Sequence, residues 1–270
     1  MSRTQYSSFK QAQNELGKMF DDPNNVRFIH YSCESFYDRP DGSTPRVTSI
    51  AVRSLGSGQT RSFSIHQKAE LDGLSVSDIS ANYDDLEREM LGAFYAYVRQ
   101  HDSCTWVHWN MRDANYGFDA IAHRFRILGG DPVDIRDGSK LDLARLMHDF
   151  LGPRYVEHPR LHKLLERNDM VPRNFLVGED EAKAFDEGNY VKLHQSTLSK
   201  VDAFMEICTA AFQGRLKSNN GYFRRRGLTI STVASFVQDH PVFIALSVLA
   251  VISAVLLGIF DLLDLVAANS

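Results

Sequence analysis

The residue types able to do chemistry crowd into one stretch, Thr105 to Arg124, TWVHWNMRDANYGFDAIAHR, whose middle holds two histidines, two asparagines and two aspartates. A run of strand formers (Thr105, Trp106, Val107, Trp109) leads in. A helical pattern begins at Tyr116, with Phe118, Ile121, Ala122 and Phe125 on one face. Imidazoles, carboxamides and carboxylates therefore sit at the carboxyl end of a strand, where open α/β sheets place ligand sites. A polar surface turn is the competing reading. Trp106 and Trp109 differ by three, so on a strand they face opposite sides, and at least one belongs to the core rather than to a base-stacking surface.

The flanking elements must position this junction. Residues 1–25 read as a polar lead-in with a short helix around Ser8 to Met19, closed by the turn signal DDPNN. Val26 to Tyr31, Val47 to Leu55 and Thr60 to His66 read as strands; the last two are joined by GSG, and together the three form an antiparallel meander. Asp78 to Gln100 reads as a helix delivering the chain to the strand at Thr105. KLDLARLMHDFLG reads as a short strand entering a helix, followed by helical segments at His158 to Asn168, Glu179 to Asp186 and Tyr190 to Leu216. The fold class is α/β, a mixed sheet flanked by helices.

Bulk properties narrow the classes. A chain of 270 residues with 43% hydrophobic content buries one good-sized core plus an appendage. A net charge of −4 restricts any nucleic-acid surface to a local patch. Cys33, Cys104 and Cys208 form no C-x-x-C pair, so reduced thiols are expected. MSRTQYSSFK lacks a signal-peptide core.

Pro241 to Phe260, PVFIALSVLAVISAVLLGIF, carries no charge, and as a helix its twenty residues would cover about 30 Å, the hydrocarbon thickness of a bilayer. A transmembrane helix over 240–264 is expected, with a tail at 265–270. The run Arg224, Arg225, Arg226 before it and Asp261 and Asp264 within its far end place the amino-terminal domain in the cytoplasm. The lipid bilayer is thus an expected partner, and 214–239 reads as a basic juxtamembrane linker of which Leu228 to Gln238 could lie along the surface.

The order strand, strand, strand, helix, strand, helix, short strand, helices resembles the RNase H-like fold over residues 26–213. Within it the chain is similar to the DEDD, proofreading-type 3′–5′ exonucleases. FIHYSCESF matches the family's D-x-E with Glu34 but has Ser32 at the aspartate position. His108, Asn110, Phe118 and Asp119 resemble its H-N-x-x-F-D, with Asp113 competing; LDLARLM resembles its D-T-x-x-L-A-R; and His194 matches the histidine of the third motif, whose aspartate position holds Ser199, with Asp202 nearest.

The resemblance implies Mg²⁺ or Mn²⁺ held by Glu34, Asp119 and Asp202, with His194 as general base. Two serines in place of aspartates remove two charges that a two-cation site needs. Catalysis is left open, and two functions follow. One is a degenerate, nuclease-like module that binds a nucleotide, nucleic acid or protein and couples it to the membrane in signalling or defence. The other is an active metal-dependent exonuclease or phosphodiesterase. Oligomers are compatible with either. His30 and His66 read as hydrogen-bonded structural residues, and Arg124 and Arg126 as exposed helix arginines or phosphate contacts.

Overall fold

Val26–Cys33 (β1) is buried at every position but Arg27, as a strand covered on both faces must be. The computed structural model describes residues 5–34, 44–112, 116–227, 230–239, 242, 245, 246 and 248–255. Val47–Ser54 (β2) pairs antiparallel with β1, and Thr60–Ser64 (β3) antiparallel with β2. Thr105–His108 (β4) and Lys140–Asp142 (β5) extend the other side of β1 in parallel, giving the order β3-β2-β1-β4-β5. The expected meander is present, and Gly58 in the β2–β3 turn has φ +66°, a value that disfavours any residue with a Cβ.

In chain order the helices are α1 (Gln5–Asp21), α2 (Ile65–Leu71), α3 (Tyr83–Gln100), α4 (Phe118–Ile127), α5 (Leu143–Leu151), α6 (Arg160–Arg167), α7 (Gly178–Asp186), α8 (Tyr190–Phe212), α9 (Tyr222–Arg226) and α10 (Ile230–Asp239). Strand alternation sorts the core onto two faces. Phe28, Ala51, Val107 and Trp109 pack with α1, α5 and α8, while Ile29, Tyr31, Ile50, Val52 and Trp106 pack with α3 and α4. The two tryptophans thus join opposite faces, and both belong to the core.

Two segments differ from the sequence expectation. The third strand was expected to reach His66, but Ile65 opens α2: Ile65 and Ala69, four apart, are both buried, and Ser64 Oγ donates to Gln67 Oε1 at 3.0 Å. Residues 1–25 are more than a lead-in. Phe9, Ala12, Leu16 and Met19 recur on one face of α1 and are buried in the main core.

The basic segment after α8 is docked on the domain. Leu216 is buried, the Asn219 N–H donates to Tyr155 O at 2.8 Å, and Asn220 Nδ2 donates to Leu151 O and Pro153 O at 2.9 Å each. Arg225 Nε donates to Asn220 O at 2.9 Å, and the Arg226 guanidinium lies over Tyr222 (3.7 Å) and Phe9 (4.6 Å). Gln5 Nε2 donates to Arg225 O at 2.9 Å, closing α1 onto this segment. Of the expected span, residues 240, 241, 243, 244, 247 and 256–264, and the tail 265–270, lie outside the described residues. Among the described residues no helix is long and apolar enough to cross a membrane.

Asn220→Ala leaves two carbonyls that the carboxamide now serves without a donor, so denaturant titration should show a loss of about 1–3 kcal/mol. A chain ending at Lys217 should lose at least as much relative to one ending at Gly227. Equal stability of those two chains would mean that the segment is not part of the fold.

Candidate functional site

The parallel strands β4 and β5 end side by side, with His108 paired in register with Asp142. Each strand then enters a helix, and α1 closes over the gap. The resulting cleft has a volume of about 720 Å³ and is lined by Ser8, Gln11, Glu15, His108, Arg112, Phe118, Asp119, Asp137, Lys140, Asp142, Arg145 and Asp149, among others. This is the size and placement of a small-ligand site in an α/β sheet.

Asp142 organises the cleft floor. It is the N-cap of α5, its Oδ1 accepting the N–H groups of Ala144 (2.9 Å) and Arg145 (3.4 Å) and also that of Asn110 (3.3 Å). Arg112 Nε lies 2.6 Å from the other carboxylate oxygen as an ion pair, and Arg112 Nη2 donates to Asn110 Oδ1 at 3.0 Å. Asn110 takes φ +57°, a value that asparagine tolerates. His108 is 3% exposed, and its Nδ1 accepts the Met111 N–H at 3.1 Å, which puts the ring proton on Nε2. Burial drives its pKa down to about 4; Asp142 opposes the shift, while Arg112 and Lys140 add to it. The ring meets the edge of Phe118 at 5.3 Å, and Lys140, paired with Asp137 at 2.8 Å, lies over the same phenyl ring.

A second polar group is buried between β1, β2, α7 and α8. Ser32 Oγ lies 2.7 Å from Thr197 Oγ1 and 3.3 Å from Glu181 Oε1, and Ser49 Oγ lies 2.8 Å from Thr197 Oγ1. The same Glu181 oxygen receives Ser196 Oγ at 3.0 Å and the Lys200 ammonium at 2.7 Å. Glu181 is 2% and Lys200 6% exposed. His30 lies on the same face, its ring edge-on to Phe204 and its Nδ1 3.2 Å from Tyr116 Oη; burial first, then Lys200, holds it far below the usual imidazole range.

The residues expected to share a metal have different neighbours. Glu34 stands beside Arg46, 3.7 Å from its Nε. Asp202 is exposed and paired with Arg53 Nη1 at 3.0 Å. His194 is buried against His66, ring centroids 5.1 Å apart, and has no partner for Nε2 among the described residues. Of the four, Asp119 alone lines the cleft. Among the described residues no group of three His, Cys, Asp or Glu could hold a metal ion. Arginines stand beside Glu34 and Asp202, so each of those carboxylates has a counter-charge. Asp113 lies outside the described residues.

Other expectations are corrected by partners invisible to spacing. Arg124 is buried rather than exposed, its guanidinium bonded to Glu87 Oε2 (2.6 Å) and Asp84 Oδ1 (2.6 Å). His66 Nδ1, expected to be hydrogen-bonded, has no partner among the described residues. Sequence reasoning missed Lys200 and Glu181. Lys200 had a signal: it occupies the apolar stripe Leu193, Thr197, Val201, Phe204 of α8, where a buried cation demands a buried anion. Glu181 lay in an acidic helix start with nothing to mark it out. Cys33, Cys104 and Cys208 are buried, and among the described residues they form no disulfide.

No protein-family model matches the chain, and neither curated proteins nor solved structures give a match. Fold and cleft together define an α/β protein with a five-stranded mixed sheet flanked by helices and a ligand-sized cleft at the carboxyl ends of its parallel strands.

Burial, with a smaller push from His66, lowers His194 to about 4 against 6.5 for a free imidazole. The unfolded chain therefore binds the extra proton first. Stability that is fully present above pH 6.5 should drain away as the pH falls towards 4, by on the order of 2 kcal/mol. Urea titrations between pH 7 and pH 4.5 should show this slope on top of that from the buried His30 and His108, and His194→Met should reduce it by the His194 share. An unchanged slope in that variant would clear His194 as its source.

Proposed function

We propose that this chain is a nuclease-like binding module whose catalytic cation site is degenerate. On this reading it engages a nucleotide, nucleic acid or protein partner, and residues 240–264 couple it to a membrane, in signalling or defence. The sheet order β3-β2-β1-β4-β5, antiparallel then parallel, supports an RNase H-like ancestry. The observation that carries the reading is the surroundings of Ser32, the position where the resembled exonucleases have an aspartate. Its hydroxyl is one carboxylate oxygen away from the buried Lys200 ammonium. A divalent cation there would meet a fixed positive charge in a poorly solvated place, where like charges repel strongly. The counter-charges of Arg46 on Glu34 and Arg53 on Asp202 point the same way.

Attachment to a bilayer is supported by the uncharged run Pro241 to Phe260 and by the exposure of its described helical residues, among them Val251 at 63% and Leu249 at 58%. The basic residues before it favour a cytoplasmic domain.

Two measurements test this function. Titration of the full chain with Mn²⁺ or Mg²⁺ to millimolar levels should leave its melting temperature unchanged, and no metal-dependent hydrolysis of single-stranded DNA or a model phosphodiester should appear. A saturable rise, or turnover abolished by Glu34→Gln, would instead make it an active exonuclease or phosphodiesterase. Alkaline and high-salt washing should leave the chain in the membrane fraction; release by salt alone would assign attachment to the basic segment.

A further inference from the structure

One corner of the cleft has donors that the protein does not use. The α4 helix opens onto it at Phe118 and Asp119, and among the described residues no side chain caps its first N–H groups. His108, buried beside Phe118, spends Nδ1 on the Met111 N–H and has no partner among the described residues for its Nε2 proton. The exposed Arg145 side chain lines the same cleft with no hydrogen bond or ion pair among the described residues. By contrast Arg112 and Lys140 are already engaged, with Asp142 and Asp137.

A helix N-terminus, an imidazole N–H and a guanidinium approach from separate elements. That arrangement suits a tetrahedral oxyanion, with its several acceptor oxygens, better than a planar carboxylate with two. A bare anion is nevertheless disfavoured. Five carboxylates against three basic side chains line the cleft, and Asp119, which has no partner among the described residues, sits in the same first turn of α4. Asp119 calls for a ligand that brings hydrogen-bond donors alongside its anion. The cleft volume of about 720 Å³ leaves room for more than a phosphate.

We propose that this corner binds a small phosphate monoester of a hydroxyl-bearing compound. Its phosphoryl oxygens take the first N–H groups of α4, the Nε2–H of His108 and the guanidinium of Arg145, while a hydroxyl of the ligand donates to Asp119. A nucleoside monophosphate and a free sugar phosphate share this chemistry. The inference rests on the binding-module reading and specifies its ligand.

The test is calorimetric titration of the full chain in detergent, without added metal, using ribose 5-phosphate, adenosine 5′-monophosphate, adenosine and inorganic phosphate. At least one of the two esters should bind saturably, with adenosine and inorganic phosphate at least tenfold weaker. Binding by both esters marks a sugar-phosphate site, and binding by adenosine 5′-monophosphate alone a nucleotide site. Arg145→Ala should weaken the ester at least tenfold with no change in melting temperature, since that side chain has no partner to lose. Asp119→Asn should narrow the gap between the ester and inorganic phosphate, because it removes the repulsion. Failure of both esters to bind at millimolar concentration, or affinity unchanged in Arg145→Ala, overturns the proposal. That failure with a flat Mn²⁺ titration leaves the degenerate-site reading standing. Ester binding accompanied by Mn²⁺ binding beside Glu34 breaks that reading and leaves the corner.

Discussion

A lysine buried between a sheet and two helices must be neutralised where it sits, and Lys200 imposes that condition on everything around it. Removing an ammonium from water costs several kcal/mol unless a counter-charge and hydrogen bonds offset it. Glu181 on α7 supplies the charge, and Ser196 shares its oxygen. The hydroxyls of Ser32, Ser49 and Thr197 extend the polar contact onto β1 and β2. On the opposite face of the sheet Glu87 does the reciprocal work. It binds the Arg124 guanidinium and accepts the Val47 N–H at 2.7 Å, joining α3, α4 and β2. Two buried ion pairs thus fix the helices against the central strands from either side.

The strands and the long helices were legible because their signals are local. Runs of strand-forming residues bounded by turn residues marked β1 to β3, the glycines of GSG marked the hairpin, and the stripe from Leu193 to Phe212 marked α8. Parallel pairing of β4 with β1 and of β5 with β4 follows from the helices that separate them, since a parallel connection needs a crossover. What escaped was set by distant partners. A short helix was read around Ser8 to Met19, but Phe9, Ala12, Leu16 and Met19 are widely spaced apolar residues in a polar segment, and nothing local showed that they pack on α5 and α8. Asn220 carries no pattern at all, yet its carboxamide serves two carbonyls of the turn after α5.

The site was half legible for the same reason. The strand-to-helix junction at Thr105 to Arg124 does open onto the cleft, and Asp119 lines it. The sequence could not show that Asp142, from a short strand and helix start, would become the cap, the ion-pair partner of Arg112 and the register mate of His108 together. Nor could it show which carboxylates stay available. Glu34 matches a motif by position and Asp202 is the carboxylate nearest to one, but charge is a property of the neighbourhood, and arginines from other elements stand beside both.

The α1 helix, like α5, touches both the cleft and the segment after α8. Gln11 and Glu15 line the cleft, while Gln5, towards the start of the same helix, holds the carbonyl of Arg225 and Phe9 carries the Arg226 guanidinium. Any free energy by which a ligand against α1 alters the docking of that segment must act with the same magnitude in the opposite direction.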